Sequence, residues 1–318
     1  MYDFGPPSPA AAHARTLDTT HWSHVRWHAA GAIGECGAGC DAAVDALART
    51  VTHRDSEGYM RWQAAASLGQ LGSSVGHKTS HSLAQCLLQR KPGQPGADVY
   101  VRCGVADSIG RLGVAAGDVG ARALARALET ESSEAVRQRA AASLGQLGPL
   151  AGDAGVKSLL KALGRRDEDL HVKLRAIEAL GAIGDRIGGA GAAALAKALL
   201  VDREDGVRLK AAAALGNLRE VAGADGVRAL SRAMLKDVRM SVREQCERSL
   251  CSLRASCTAA LGEVSGDTHV FSRGQAALVL GRLGALADAR AVEVLCVSLI
   301  NDWDPHVRRR CAEAFDAL

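Results

Sequence analysis

The chain writes one fourteen-residue sentence again and again. HVRWHAAGAIGECG at residues 24–37 returns as YMRWQAAASLGQLG at 59–72, AVRQRAAASLGQLG at 135–148 and GVRLKAAAALGNLR at 206–219. Aligned on the first apolar position, nine copies begin at Val25, Met60, Val101, Val136, Val172, Val207, Val242, Ser272 and Val307. Successive starts lie 35, 41, 35, 36, 35, 35, 30 and 35 residues apart, and a period of this size is the mark of a helical-repeat array.

The common pattern is V-R-x-x-A-A-x-x-L-G-x-L-G. At 3.6 residues per turn, its positions 1, 5, 8, 9 and 12 fall in one arc, and they are apolar or small almost throughout. Position 8 holds small side chains in every copy but one, among them Ser67, Ser143, Ala179 and Ala214, as expected where neighbouring helices come close. Glycines at positions 10 and 13, such as Gly145 and Gly148, read as a fraying helix end followed by a left-handed residue. Shorter amphipathic segments, DAGVKSLLKALG at 153–164 and ADGVRALSRAMLK at 224–236, fill the intervals, so each repeat is a helical hairpin. Aromatic residues make up only 3% of the chain, which suits short, closely packed helices better than a sheet.

Acidic residues Asp98, Glu134, Asp169, Asp205 and Asp304 precede position 1 by two or three residues, where they cap the second helix and interact favourably with its dipole. Position 2 is a cation in all nine copies, from Arg26 to Arg308. That row reads as a ladder in which each cation meets the acidic loop of the preceding repeat.

The pattern resembles the HEAT-repeat family, and in particular its short-repeat branch that includes the phycobilin lyase subunits. The resemblance runs over about residues 21–318 and rests on the stretches quoted above together with NDWDPHVRRRCAEAF at 301–315. It implies an all-α, right-handed α-α superhelix of about nine two-helix repeats, a single solenoid over 21–318 whose second helices line the concave face. Where that family carries an enzyme, as in deoxyhypusine hydroxylase, His-Glu pairs hold iron. No His-Glu dipeptide occurs here.

Other chemistry leaves few traces. His21, His24 and His28 share a helical face, as do His77 and His81, but no carboxylate keeps step with either group, so an exposed polar face is expected and no metal or other cofactor is assigned. Nine cysteines lack disulfide or zinc spacing and read as small buried residues. Phosphate-loop, nucleophile-elbow and zincin motifs do not occur. The formal charge of +4, from 39 basic and 35 acidic residues, argues against a nucleic-acid partner, and no apolar run is long enough to span a membrane. The start MYDFGPPSPAAAHARTL lacks the form of a signal peptide, so a soluble intracellular protein is expected. Residues 1–20, with three prolines, read as a flexible leader, and QRKPGQPGADVY at 89–100 as an exposed loop. The last copy stops short of its closing glycine, which suggests a covering partner or a longer array at that end.

Function must then reside on the outward face of the second helices. Position 3 places Trp27 and Trp62 in adjacent repeats, good anchors for an apolar partner unless the leader folds over them. Position 4 places Arg139, Arg175 and Lys210 in three successive repeats, a row suited to acidic groups. The expectation is a non-enzymatic scaffold that binds a protein segment in its groove. The alternative is a chromophore-binding chaperone or lyase like the phycobilin lyase subunits.

Overall fold

The computed structural model describes residues 8–36, 41–52, 57–88, 95–253, 270–283 and 289–316. Among them every regular element is helical, and the chain divides into two compact units, Met1–Ala179 and Leu180–Leu318. The leucine and alanine content favours helix over the whole length, and glycine or an aspartate stops it at regular intervals.

In the first unit, the first helices of successive hairpins are α1 (Pro9–Thr19), α3 (Asp41–Thr52), α5 (His77–Leu88), α7 (Gly117–Thr130) and α9 (Gly152–Gly164). They pack side by side as one layer. The second helices are α2 (Ser23–Glu35), α4 (Gly58–Leu71), α6 (Pro95–Arg111), α8 (Glu134–Leu147) and α10 (Leu170–Ile183), and they form the other layer. The boundary between units falls inside α10. The second unit contains α11 (Gly188–Val201), α12 (Asp205–Asn217), α13 (Gly223–Lys236), α14 (Met240–Ser252), α15 (Val270–Leu283), α16 (Ala289–Asn301) and α17 (Pro305–Phe315). Hairpin partners α11 with α12, α13 with α14 and α16 with α17 pack together there.

The helical phase matches the pattern: Val136, Ala140, Ser143, Leu144 and Leu147 are all buried, as are Val207, Ala211, Ala214, Leu215 and Leu218. Position 13 carries the left-handed residue, with φ of 56° at Gly72 and 55° at Gly148. Position 10 differs from expectation. Gly145 is inside α8 rather than at a frayed end, and a Cβ on it would lie 2.9 Å from the Cα of Ala179 on α10. The glycine at position 10 and the small residue at position 8 of the next second helix are two halves of one close contact. Two serine copies add a hydrogen bond across it: the Ser108 hydroxyl donates to the Ala65 carbonyl on α4 at 2.6 Å, and the Ser249 hydroxyl to the Ala212 carbonyl on α12 at 2.8 Å.

Helix caps follow the expected residues in part. Asp169 accepts from the backbone N–H groups of His171 and Val172, and Asp304 from those of His306 and Val307. The residues taken as a leader need correction: Pro9–Thr19 is the first helix of the first hairpin, with Ala10, Ala14 and Leu17 buried against its neighbours. Ser8 caps it and Pro9 opens it, so a proline-rich beginning here serves as a helix start. The 89–100 stretch also changes character, because α6 already begins at Pro95; residues 89–94 lie outside the described residues, as does Leu318.

The cation ladder exists but points the other way. Arg137 donates through Nε and Nη2 to Glu168 in the turn of the following repeat, at 2.9 and 2.8 Å. Its Nη1 meanwhile donates to the carbonyls of Glu131 and Ser132 in its own turn, at 3.0 and 2.9 Å. In the second unit Asp237 receives Arg208 on its carboxylate at 2.7 Å, and Arg243 on its carbonyl at 2.9 Å. Asp302 repeats the arrangement with Arg273 and Arg308 at 2.6 and 2.7 Å. Asp237 and Asp302 are therefore double acceptors, each joining two repeats. The carboxylates of Glu168, Asp237 and Asp302 are almost wholly buried, so these pairs resist solvent screening.

Candidate functional site

The exposed face of α2, α4, α6, α8 and α10 lies within the first unit and gathers most of the residues singled out by sequence. Position 4 is solvent-facing as expected: His28, Arg139 and Arg175 are exposed. Position 3 is not fully outward. Trp27, Cys103, Gln138 and Leu174 are half-buried at the seam between successive second helices.

Trp62 shows how that seam works. A Cβ on Gly104 of α6 would stand 2.5 Å from Trp62 Cδ1 and 3.0 Å from Nε1, so the indole lies against the bare backbone of its neighbour. Gly104 occupies position 4, where the adjoining copies carry Gln63 and Arg139. The missing side chain makes room for the ring. One side of the indole is fixed on α6 and 42% of the residue remains open to solvent. Trp27 makes an edge contact with His28, ring centroids 4.9 Å apart. Helix α1 takes its place among the first helices, packed on α2 and α3.

Two aromatic residues that sequence reasoning passed over extend this surface. Tyr59 stands one turn before Trp62 on α4 and Tyr100 one turn before Gly104 on α6, 46% and 75% exposed. Trp22, on the turn that enters α2, is 70% exposed, with its ring 5.9 Å from that of His24. Composition held the signal: five of the chain's ten aromatic residues fall between 22 and 100, four of them open at the start of second helices.

The cations are less bare than their spacing suggested. Arg139 has Asp107 at 3.8 Å, Asp107 also takes Arg111 at 3.0 Å, and Arg175 takes Glu178 at 3.0 Å. The arginines of these pairs are exposed and their acids half-buried, so the pairs are worth little in stability. Arg111, Arg139 and Arg175 still outnumber Asp107 and Glu178, leaving this end of the face positive. Lys210 belongs to the second unit, exposed on α12.

Among the described residues, no group of three or more His, Cys, Asp or Glu side chains is placed to hold a metal. Burial pushes the Cys246 thiol up to about 12 and the Cys311 thiol to about 11, so both stay protonated and inert at neutral pH. No helix among the described residues is long and apolar enough to cross a membrane.

A family model for HEAT repeats matches residues 120–216 and again 156–251. These are HEAT repeats. Helical hairpins stacked in two layers on either side of the matched span have the same build. The comparison with curated proteins gave no match. Among solved structures, the chain is similar to Kap121p at 13% identity and a TM-score of 0.57, over 97% of this chain and 37% of that one. It is similar to the karyopherin Kap121p bound to the SUMO protease Ulp1p at 14% identity and a TM-score of 0.55, over 98% of this chain and 38% of the other. An engineered protein aligns at 21% identity and a TM-score of 0.49, over 98% and 89%. The chain thus spans little more than a third of Kap121p, and likeness at such identity establishes the HEAT-type α-solenoid fold alone.

Proposed function

We propose that this HEAT-repeat chain is a non-enzymatic scaffold that binds a protein segment along its second-helix face, the face on which the family resemblance places the binding groove. Trp62 and Trp27 anchor apolar groups of that segment, and Arg139 and Arg175 meet acidic ones. Lys210 offers the same kind of exposed cation in the second unit.

The observation that carries this reading is Trp62. An indole held on one side by the backbone at Gly104 and open on the other has already lost most of its rotamer freedom, so a partner that covers it gains contact area at little entropic cost. Tyr59 and Tyr100 enlarge the same patch. That Kap121p has been crystallised with Pho4p, Nup53p and Ulp1p is consistent with such a role for the fold.

Photo-crosslinking tests the reading. Benzoylphenylalanine placed at Gln70 or Arg175, two exposed positions on the second-helix face, should capture the same partner segment, and Trp62→Ala should abolish the product. The same probe at Arg126, exposed on first helix α7, should capture nothing specific. Products from Arg126 with none from Gln70 or Arg175 would move the binding surface to the other layer.

A further inference from the structure

The patch on the first three second helices has a chemistry of its own. Tyr59, Trp62 and Tyr100 are exposed, the amides of Gln63 and Gln70 lie beside them against Gly31 and Gly34 of α2, and the position 4 residues across it are His28, Gln63 and Gly104. An exposed aromatic surface bordered by amide groups suits an extended chain whose backbone carbonyls still need donors better than a helix whose backbone is already satisfied. Beyond Gly104 the row turns cationic at Arg139 and Arg175.

Helix spacing supplies a second constraint. Packed helices lie about 8–10 Å apart, and a polyproline-II strand advances roughly 9 Å in each three-residue turn. A strand of that type laid across the second helices sets every third residue over the same position of the next repeat. We propose, resting on the second-helix face as the binding surface, that the partner segment is a polyproline-II strand. Prolines three residues apart stack on Trp27 and Trp62, and acidic residues about nine and twelve positions from the first proline lie over Arg139 and Arg175. Proline rings stack on aromatic faces, and the strand is preformed, so ordering it costs little. The gap at Gly104 is what fixes the second of these platforms, which makes Gly104 a positioning residue for the ligand.

Synthetic peptides test this on the full chain. The reference peptide carries Pro-x-x-Pro followed by two glutamates at the stated spacing, with alanine elsewhere; a second has both prolines replaced by alanine, and a third has both glutamates replaced by glutamine. In fluorescence anisotropy the proline-free peptide should bind at least ~10-fold more weakly, as should the reference peptide to Trp62→Ala. The glutamine peptide should lose the salt dependence of the reference. Gly104→Gln should weaken the reference peptide as much as Trp62→Ala does, because its Cβ would stand 2.5 Å from Trp62 Cδ1 and displace the indole from its seat. Equal binding of the proline-free peptide, still sensitive to Trp62→Ala, overturns the polyproline assignment and leaves the scaffold face standing. No binding of the reference peptide also overturns the assignment. Binding indifferent to both Trp62→Ala and Arg139→Ala overturns the face as well.

Discussion

Replacing Gly145 with alanine should destabilise the protein, although alanine is the better helix former. Gly145 lies inside α8, where propensity alone favours alanine by about 1 kcal/mol. Against this, the new methyl would sit 2.9 Å from Ala179 Cα and 3.0 Å from Ala179 Cβ. The obstacle includes main chain of α10, so no rotamer change relieves it and the two helices must move apart. Overpacking of this kind costs about 1–3 kcal/mol, which exceeds the propensity gain over most of its range. The net expectation is a loss of about 1 kcal/mol. Gly164 at the end of α9 is the control, because a Cβ there meets nothing within 4 Å; Gly164→Ala should be neutral or stabilising. Urea unfolding followed by far-UV circular dichroism measures both. If Gly145→Ala raises stability as much as Gly164→Ala does, the close glycine contact between second helices is not what holds them in register.

Further outcomes follow from the buried pairs and thiols. Arg208→Ala strands the Asp237 carboxylate, which keeps only the Arg239 backbone N–H among its short contacts, and should cost about 3 kcal/mol in the same unfolding assay. The hydrogen bonds from Arg273 hold the Asp302 carboxyl below the usual range despite its burial. Its stabilisation is therefore present above the unfolded-state value and lost as pH falls through the folded one, so acid titration of stability should flatten in Asp302→Asn. With Cys246 and Cys311 buried and their thiols pushed up to about 12 and about 11, iodoacetamide at pH 8 should modify exposed Cys36 in the native protein and reach those two only after unfolding.

The periodic apolar positions showed the fold in sequence, because burial of Val136, Ala140 and Leu144 leaves a repeating trace that needs no partner to interpret. Contacts between repeats were harder to see. Gly145 and Ala179 are small for the same reason, yet each alone reads as a local choice, a helix end or a small core residue. Ladder direction was ambiguous because Arg137 has an acidic turn on either side and uses both, the carbonyl of Glu131 and the carboxylate of Glu168. The aromatic surface was half visible. Trp27 and Trp62 repeat in phase, while Tyr59 and Tyr100 precede position 1 and fall outside the wheel that defines the faces. That Gly104 seats Trp62 depends on the stagger of α4 against α6, which the repeat pattern does not encode.

The account stands most directly on one comparison: the affinity of Trp62→Ala and of the unaltered protein for the crosslinked partner segment, with melting temperatures taken in parallel. A loss of about 30-fold, or 2 kcal/mol, with the melting temperature unchanged is the predicted result, since the indole sits at the surface of the stack rather than in its core. Unchanged affinity, or a loss that tracks a lowered melting temperature, would show Trp62 to be a packing residue and contradict the assignment of the second-helix face as the binding surface.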